Sequence, residues 1–171
     1  NKNYILILNS PNNPSGSSCN NFEEIASVAK KYDIIVLSDE IYTELSFNRE
    51  YTSISKYYPE GTIVSSGLSK WCGAGGWRLG FFAVPPKLKP ILNMLKNLSS
   101  ESFTAVSTPI QCAAIEAFES DHSEYLNKTT DILSAVGIYV YENLRSNKVL
   151  IHKPEGGFYL MPEFLESKFK T

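Results

Sequence analysis

Histidine, cysteine and arginine are all scarce in this chain of 171 residues, and each scarcity removes a class of function. The two histidines, His122 and His152, stand far apart and offer no metal-ligand spacing. The three cysteines, Cys19, Cys72 and Cys112, are odd in number and contain no C-x-x-C pair. They argue against a disulfide framework and predict a reducing, cytoplasmic setting. Basic residues number 16 against 18 acidic ones, for a net charge of −2 without any basic block, so nucleic acid is not an expected partner. No run approaches the ~18 apolar residues of a membrane span, so no membrane partner is expected either. The glycines at 73, 75 and 76 fit neither G-x-x-x-x-G-K-[ST] nor G-x-G-x-x-G, which sets aside a nucleotide-binding loop. What remains is an ordinary globular balance, 43% hydrophobic and 20% charged. The chain opens on Asn1 rather than methionine, close to a strand pattern, and is expected to be a piece of something longer.

The apolar pattern alternates between two periods. Tyr4 to Leu8 is a continuous apolar run of the kind buried on both faces of a sheet, and it ends in the turn-rich Asn9 to Gly16. Asn21, with Glu24 three residues on, resembles a capping box, and Phe22, Ile25, Ala29 and Tyr32 follow at helical spacing. Ile34 to Leu37 reads as a second buried strand, ending at Ser38-Asp39-Glu40-Ile41-Tyr42. A crossover of this length permits parallel pairing. Thr62 to Val64 and Leu79 to Val84 read as further strands, and helices are expected from Leu88, over about Pro109 to Phe118, and from Leu126 to Leu144. Val149 to His152 and Phe158 to Met161 complete a hairpin-like pair. The expected fold is therefore α/β with a mainly parallel sheet, followed by the beginning of a smaller α+β domain. A change of composition near Glu119 to Ser123 places the boundary, giving domains 1–119 and 120–171.

The stretch Ser65 to Gly80 carries the chemistry. Lys70 follows a strand run, and Arg78 stands eight residues beyond it across a glycine-rich loop. A lysine forms an imine with a carbonyl, and an arginine grips a phosphate with two parallel hydrogen bonds. A cofactor carrying both an aldehyde and a phosphate needs that pair, and pyridoxal 5'-phosphate is such a cofactor. The same residues also suit a surface lysine and a salt-bridged arginine around an ordinary loop. Ligands of open α/β sheets sit beyond the carboxyl ends of strands, where this chain places Asn13, Asp39 with Tyr42, and Ser66 to Lys70. Around a pyridoxal ring, Asp39 would pair with the ring nitrogen, while Tyr42 and Asn13 would bond the phenolic oxygen. Lys70 would hold the aldehyde, and Arg78 with Ser66 or Ser69 the phosphate.

Four pieces in order resemble the class I aminotransferase family, of the aspartate-aminotransferase-like fold. They are Asn13-Pro14-Ser15-Gly16, Asp39-Glu40-Ile41-Tyr42, Ser69-Lys70 with Gly76-Trp77-Arg78-Leu79-Gly80, and the turn Gly156-Gly157-Phe158-Tyr159. The resemblance implies a homodimer using pyridoxal 5'-phosphate to move an amino group between an amino acid and a 2-oxo acid. It makes Lys70 the Schiff-base lysine, Asp39 the ring-nitrogen partner, Arg78 a phosphate ligand, and Asn13 and Tyr42 the phenolic-oxygen pair. A C–S lyase of the same fold would use the same lysine and aspartate, and a catalytically incomplete fragment would keep the fold alone. Two departures from the family pattern stand out: Gly67 occupies the place of a phosphate-binding serine found in many members, and Cys72 to Gly75 is smaller than usual. Of three arginines, Arg49 and Arg145 read as solvated, so the resemblance implies that the arginine for the substrate carboxylate lies past Thr171.

Overall fold

A computed structural model of the chain describes residues 4–165. Residues 1–3 and 166–171, the outer ends of the two expected domains, lie outside the described residues. The backbone gathers into two compact units, one comprising residues 4–9, 20–41 and 52–122, the other 10–19, 42–51 and 123–165.

The first unit is built on a four-stranded sheet in the order β1 (Ile5–Asn9), β2 (Ile35–Asp39), β3 (Thr62–Gly67) and β4 (Gly80–Ala83). The first three strands run parallel, with Asn9 beside Asp39 and Asp39 beside Ser65, while β4 is antiparallel to β3. The parallel pairing of β1 with β2 is made possible by α1 (Phe22–Lys31), whose Phe22, Ala26 and Ala29 are buried. Asn21 stands at its N-cap without a side-chain capping bond. Its ψ of 41° is far from the extended conformation in which a capping side chain reaches the first free amides, so the expected capping box does not form. Val36, Ile54 and Leu68 are fully buried and mark the centre of this core. Contrary to the expected two-sided burial of the first strand, Ile5 and Ile7 are exposed while Leu6 and Leu8 are half-buried. This alternation is that of a strand covered on one face, and β1 is an edge strand of the described sheet. Two helices follow, α2 (Lys89–Ser102), with Pro90 harmlessly in its first turn, and α3 (Thr108–Glu119).

The second unit carries the 22-residue α4 (Ser123–Leu144), whose buried Thr130 lies 3.5 Å from the Glu44 carbonyl. Pro11, Tyr42 and Leu45 are among the buried apolar residues of this unit. Its two-stranded sheet pairs β5 (Val149–Leu150) with β6 (Glu163–Phe164). Phe158 to Met161, expected to be the partner of β5, is irregular instead, because Gly157 takes φ +68° and turns the chain there. No helix among the described residues is long and apolar enough to cross a membrane.

Candidate cofactor site

Asp39 closes β2, and the next strand places Ser65 directly beside it. The carboxylate oxygen Oδ1 accepts from the Ser65 hydroxyl at 3.3 Å and from the Ile41 amide at 3.4 Å. Among the described residues Oδ2 has no protein partner, so a half-buried carboxylate presents one held oxygen and one open one. A group of this kind suits a cationic N–H supplied by a ligand.

Beyond β3 the chain enters the lysine loop, and three apolar anchors hold it. Leu68 is fully buried, Trp71 is buried against the rings of Phe118 and His122 at 5.9 Å each, and Ala74 is buried with its amide on the Leu68 carbonyl at 3.2 Å. Between these anchors Ser69 and Lys70 are left half-buried. Gly73 takes φ +66°, which lets the chain reverse within four residues of the lysine. A short 3-10 turn, Gly75–Trp77, then delivers Arg78, whose own φ of +58° costs a residue with a side chain about 1–2 kcal/mol. Because β4 runs antiparallel to β3, with Gly80 beside Gly67, Arg78 returns to the carboxyl end of β3. Its guanidinium donates to the Gly75 carbonyl at 2.7 Å, and among the described residues no carboxylate pairs with it. The Ser66 and Ser69 hydroxyls likewise have no protein partner among the described residues. An unpaired guanidinium and two unengaged hydroxyls beside one strand end form a donor set suited to a phosphate.

Asp39, Ser66, Ser69, Lys70 and Arg78 thus all belong to the first unit, at the carboxyl ends of β2 and β3. Asn13 and Tyr42 belong to the second. There the turn-forming work falls to Asn12, whose Oδ1 accepts from the Ser15 hydroxyl at 2.8 Å and whose carbonyl accepts from the Gly16 amide at 2.9 Å. Asn13 is the exposed corner of that turn. Tyr42 is buried, and its hydroxyl lies 3.0 Å from that of Tyr159. The rings of Phe158 and Tyr159 meet it edge to face at 5.5 and 5.6 Å. The Gly156–Tyr159 turn therefore seats Tyr42, and a Cβ at Gly16 would stand 2.5 Å from the Tyr159 carbonyl. Sequence reasoning assigned no task to Tyr159 or Ser65. The period-two strand pattern, carried past Val64, is the signal that finds Ser65. Among the described residues no cluster of metal-ligating side chains exists.

The chain is similar to several curated and solved aminotransferases. The aspartate aminotransferase of Bacillus sp. YM-2 is 35% identical over 99% of this chain and 44% of its own length. The asparagine–oxo-acid transaminase of Streptococcus mutans is 33% identical over 95% and 42%. The solved alanine aminotransferase of Pyrococcus furiosus superimposes with a TM-score of 0.87 at 32% identity, over 97% of this chain and 44% of that one. The chain thus spans less than half the length of the relatives it matches. The family described as aminotransferase class I and II matches residues 1–169, and the chain belongs to that family, whose members depend on pyridoxal 5'-phosphate.

Proposed function

We propose that the full-length protein carrying this chain is a pyridoxal-phosphate-dependent aminotransferase that moves an amino group between an amino acid and a 2-oxo acid. The observation that carries the reading is the donor set at the ends of β2 and β3: a carboxylate with one open oxygen, a loop lysine, two hydroxyls and an unpaired arginine. When bound, the cofactor supplies an aldehyde for amine exchange and a ring that accepts electron density from a substrate carbon. Arg78, with Ser66 and Ser69, holds its phosphate. Asp39, with Oδ2 open, would pair with the ring nitrogen and favour its protonated form. By their place in the family's motifs, Asn13 and Tyr42 donate to the phenolic oxygen. The Lys70 amine would hold the aldehyde carbon of the cofactor, and the same amine would carry a proton to and from the substrate α-carbon. General acid–base help of this kind is worth about 10²–10⁴-fold in rate.

The reading includes a homodimer, as relatives of this family form, and a cytoplasmic setting, supported by three cysteines that are all free thiols. The test is an exchange assay of the full-length protein with several amino acids and 2-oxo acids, repeated with Lys70→Ala. Exchange that disappears in a folded Lys70→Ala variant is expected. Undiminished exchange by that variant would refute the assignment.

A further inference from the structure

Asp39 and Ser65 are register partners in the parallel pairing of β2 and β3, so their side chains leave the sheet on the same side. The Ser65 hydroxyl meets Asp39 Oδ1 at 3.3 Å and the Ile41 amide meets the same oxygen at 3.4 Å. Two donors converging on one oxygen fix the rotation of the carboxylate and determine which oxygen stays open. The donor itself is anchored, since the Ser65 carbonyl accepts from the Glu40 amide at 2.9 Å. Glu40 is held in turn by the hydroxyls of Ser38 at 2.9 Å and Ser53 at 2.5 Å on its Oε1. The residues on either side of the Asp39–Ser65 contact are therefore fixed by bonds of their own. A hydroxyl is not what a strand interior asks for at this place; valine or isoleucine would suit the pleat better.

We propose that Ser65 is a positioning residue, whose hydroxyl holds the Asp39 carboxylate so that Oδ2 meets the protonated ring nitrogen of the cofactor. The proposal rests on the reading above, in which Asp39 is the ring-nitrogen partner. Ser65 acts through Asp39 alone. A carboxylate fixed in advance loses no freedom when the ligand arrives, so its affinity is higher than that of a freely turning one.

The experiment is a spectroscopic binding titration of the full-length protein with two probes. One is pyridoxal 5'-phosphate; the other is its carbocyclic analogue, in which a C–H replaces the ring nitrogen. Wild type, Ser65→Ala, Ser65→Thr, Asp39→Ala and the double variant Ser65→Ala/Asp39→Ala are compared. A neutral-strength hydrogen bond at this separation corresponds to a loss of about 3- to 10-fold in affinity. Ser65→Ala is expected to lose that much for pyridoxal 5'-phosphate and nothing for the analogue, and Ser65→Thr to restore it. In the Asp39→Ala background the serine substitution is expected to change nothing further. If Asp39→Ala weakens the first probe while Ser65→Ala binds it like wild type, the serine has no part and the proposal falls alone. Equal losses for both probes, failure of threonine to rescue, or a serine effect that persists without Asp39 would each overturn it as well. If Asp39→Ala binds both probes like wild type, the underlying reading of Asp39 falls, and the proposal with it.

Discussion

Replacing Gly67 by alanine tests whether the lysine loop is held by the close pairing of β3 and β4. A Cβ at this position would stand 2.5 Å from the Leu79 carbonyl oxygen and 2.9 Å from the Gly80 Cα. Both are backbone atoms, so no flexible side chain can yield. Restoring an ordinary contact of 3.4 Å requires the strands to part by about 0.9 Å at the last rung of their ladder. That rung includes the Gly67–Gly80 pair and the bond from the Leu68 amide to the Leu79 carbonyl at 3.3 Å. Overpacking of this kind costs about 1–3 kcal/mol. Gly76 provides the control, because a Cβ there would meet nothing within 4 Å, and Gly76→Ala is expected to be neutral or to stabilise by up to about 1 kcal/mol. Chemical denaturation of the full-length protein should show the midpoint of Gly67→Ala lowered and that of Gly76→Ala unchanged or raised. Because the parted rung closes the loop that carries Lys70 and Arg78, Gly67→Ala should also bind pyridoxal 5'-phosphate more weakly. A serine at 67 places a Cβ in the same position and should be destabilising to at least the same degree. If Gly67→Ala and Gly67→Ser were both as stable as wild type and bound cofactor equally well, the reasoning would be refuted.

Two further outcomes follow from the second unit and from the arginines. Tyr159→Phe removes one of two hydroxyls 3.0 Å apart while keeping the ring contacts, and should cost about 0.5–1.5 kcal/mol; Tyr159→Leu, which also loses the edge-to-face packing on Tyr42, should cost more. Equal stability of Tyr159→Phe and wild type in denaturant titrations would show that the hydroxyl pair contributes nothing. Residues 1–171 alone should fail to exchange amino groups, because the other two arginines are exposed surface residues, Arg49 beside Asp131 and Arg145 5.4 Å from the ring centroid of Tyr141. Turnover by this segment equal to that of the full-length protein would require one of these two arginines to leave its partner.

How much of this was legible in the sequence depended on whether a signal was local. The β1–α1–β2 crossover was readable because continuous apolar runs and a helical spacing follow one another, and the strand ends then carried Asp39 and Lys70 to one edge. The run Thr62 to Val64 was cut short by two serines, which carry no apolar signal, although β3 continues through them to Gly67. That truncation hid the contact between Ser65 and Asp39. The task of Gly157 was hidden for another reason: a positive φ is a property of backbone path, and the period-two pattern of Phe158 to Met161 outweighed it as a strand signal. The gathering of residues 10–19 and 42–51 with the chain beyond Ser123 is a matter of long-range packing, which no window of sequence contains. Arg49 and Arg145 read as solvated and are exposed, although the ion pair of Arg49 with Asp131 spans a separation that no local pattern reveals.

Lys70, as the residue to which the cofactor is joined, is open to a direct measurement. The direct measurement is borohydride reduction of the full-length protein purified with pyridoxal 5'-phosphate, followed by proteolysis and mass spectrometry of the peptides. A single added pyridoxyl phosphate on Lys70, absent from Lys70→Ala, is expected. Labelling of a different lysine, or equal labelling of the Lys70→Ala variant, would overturn the assignment of Lys70.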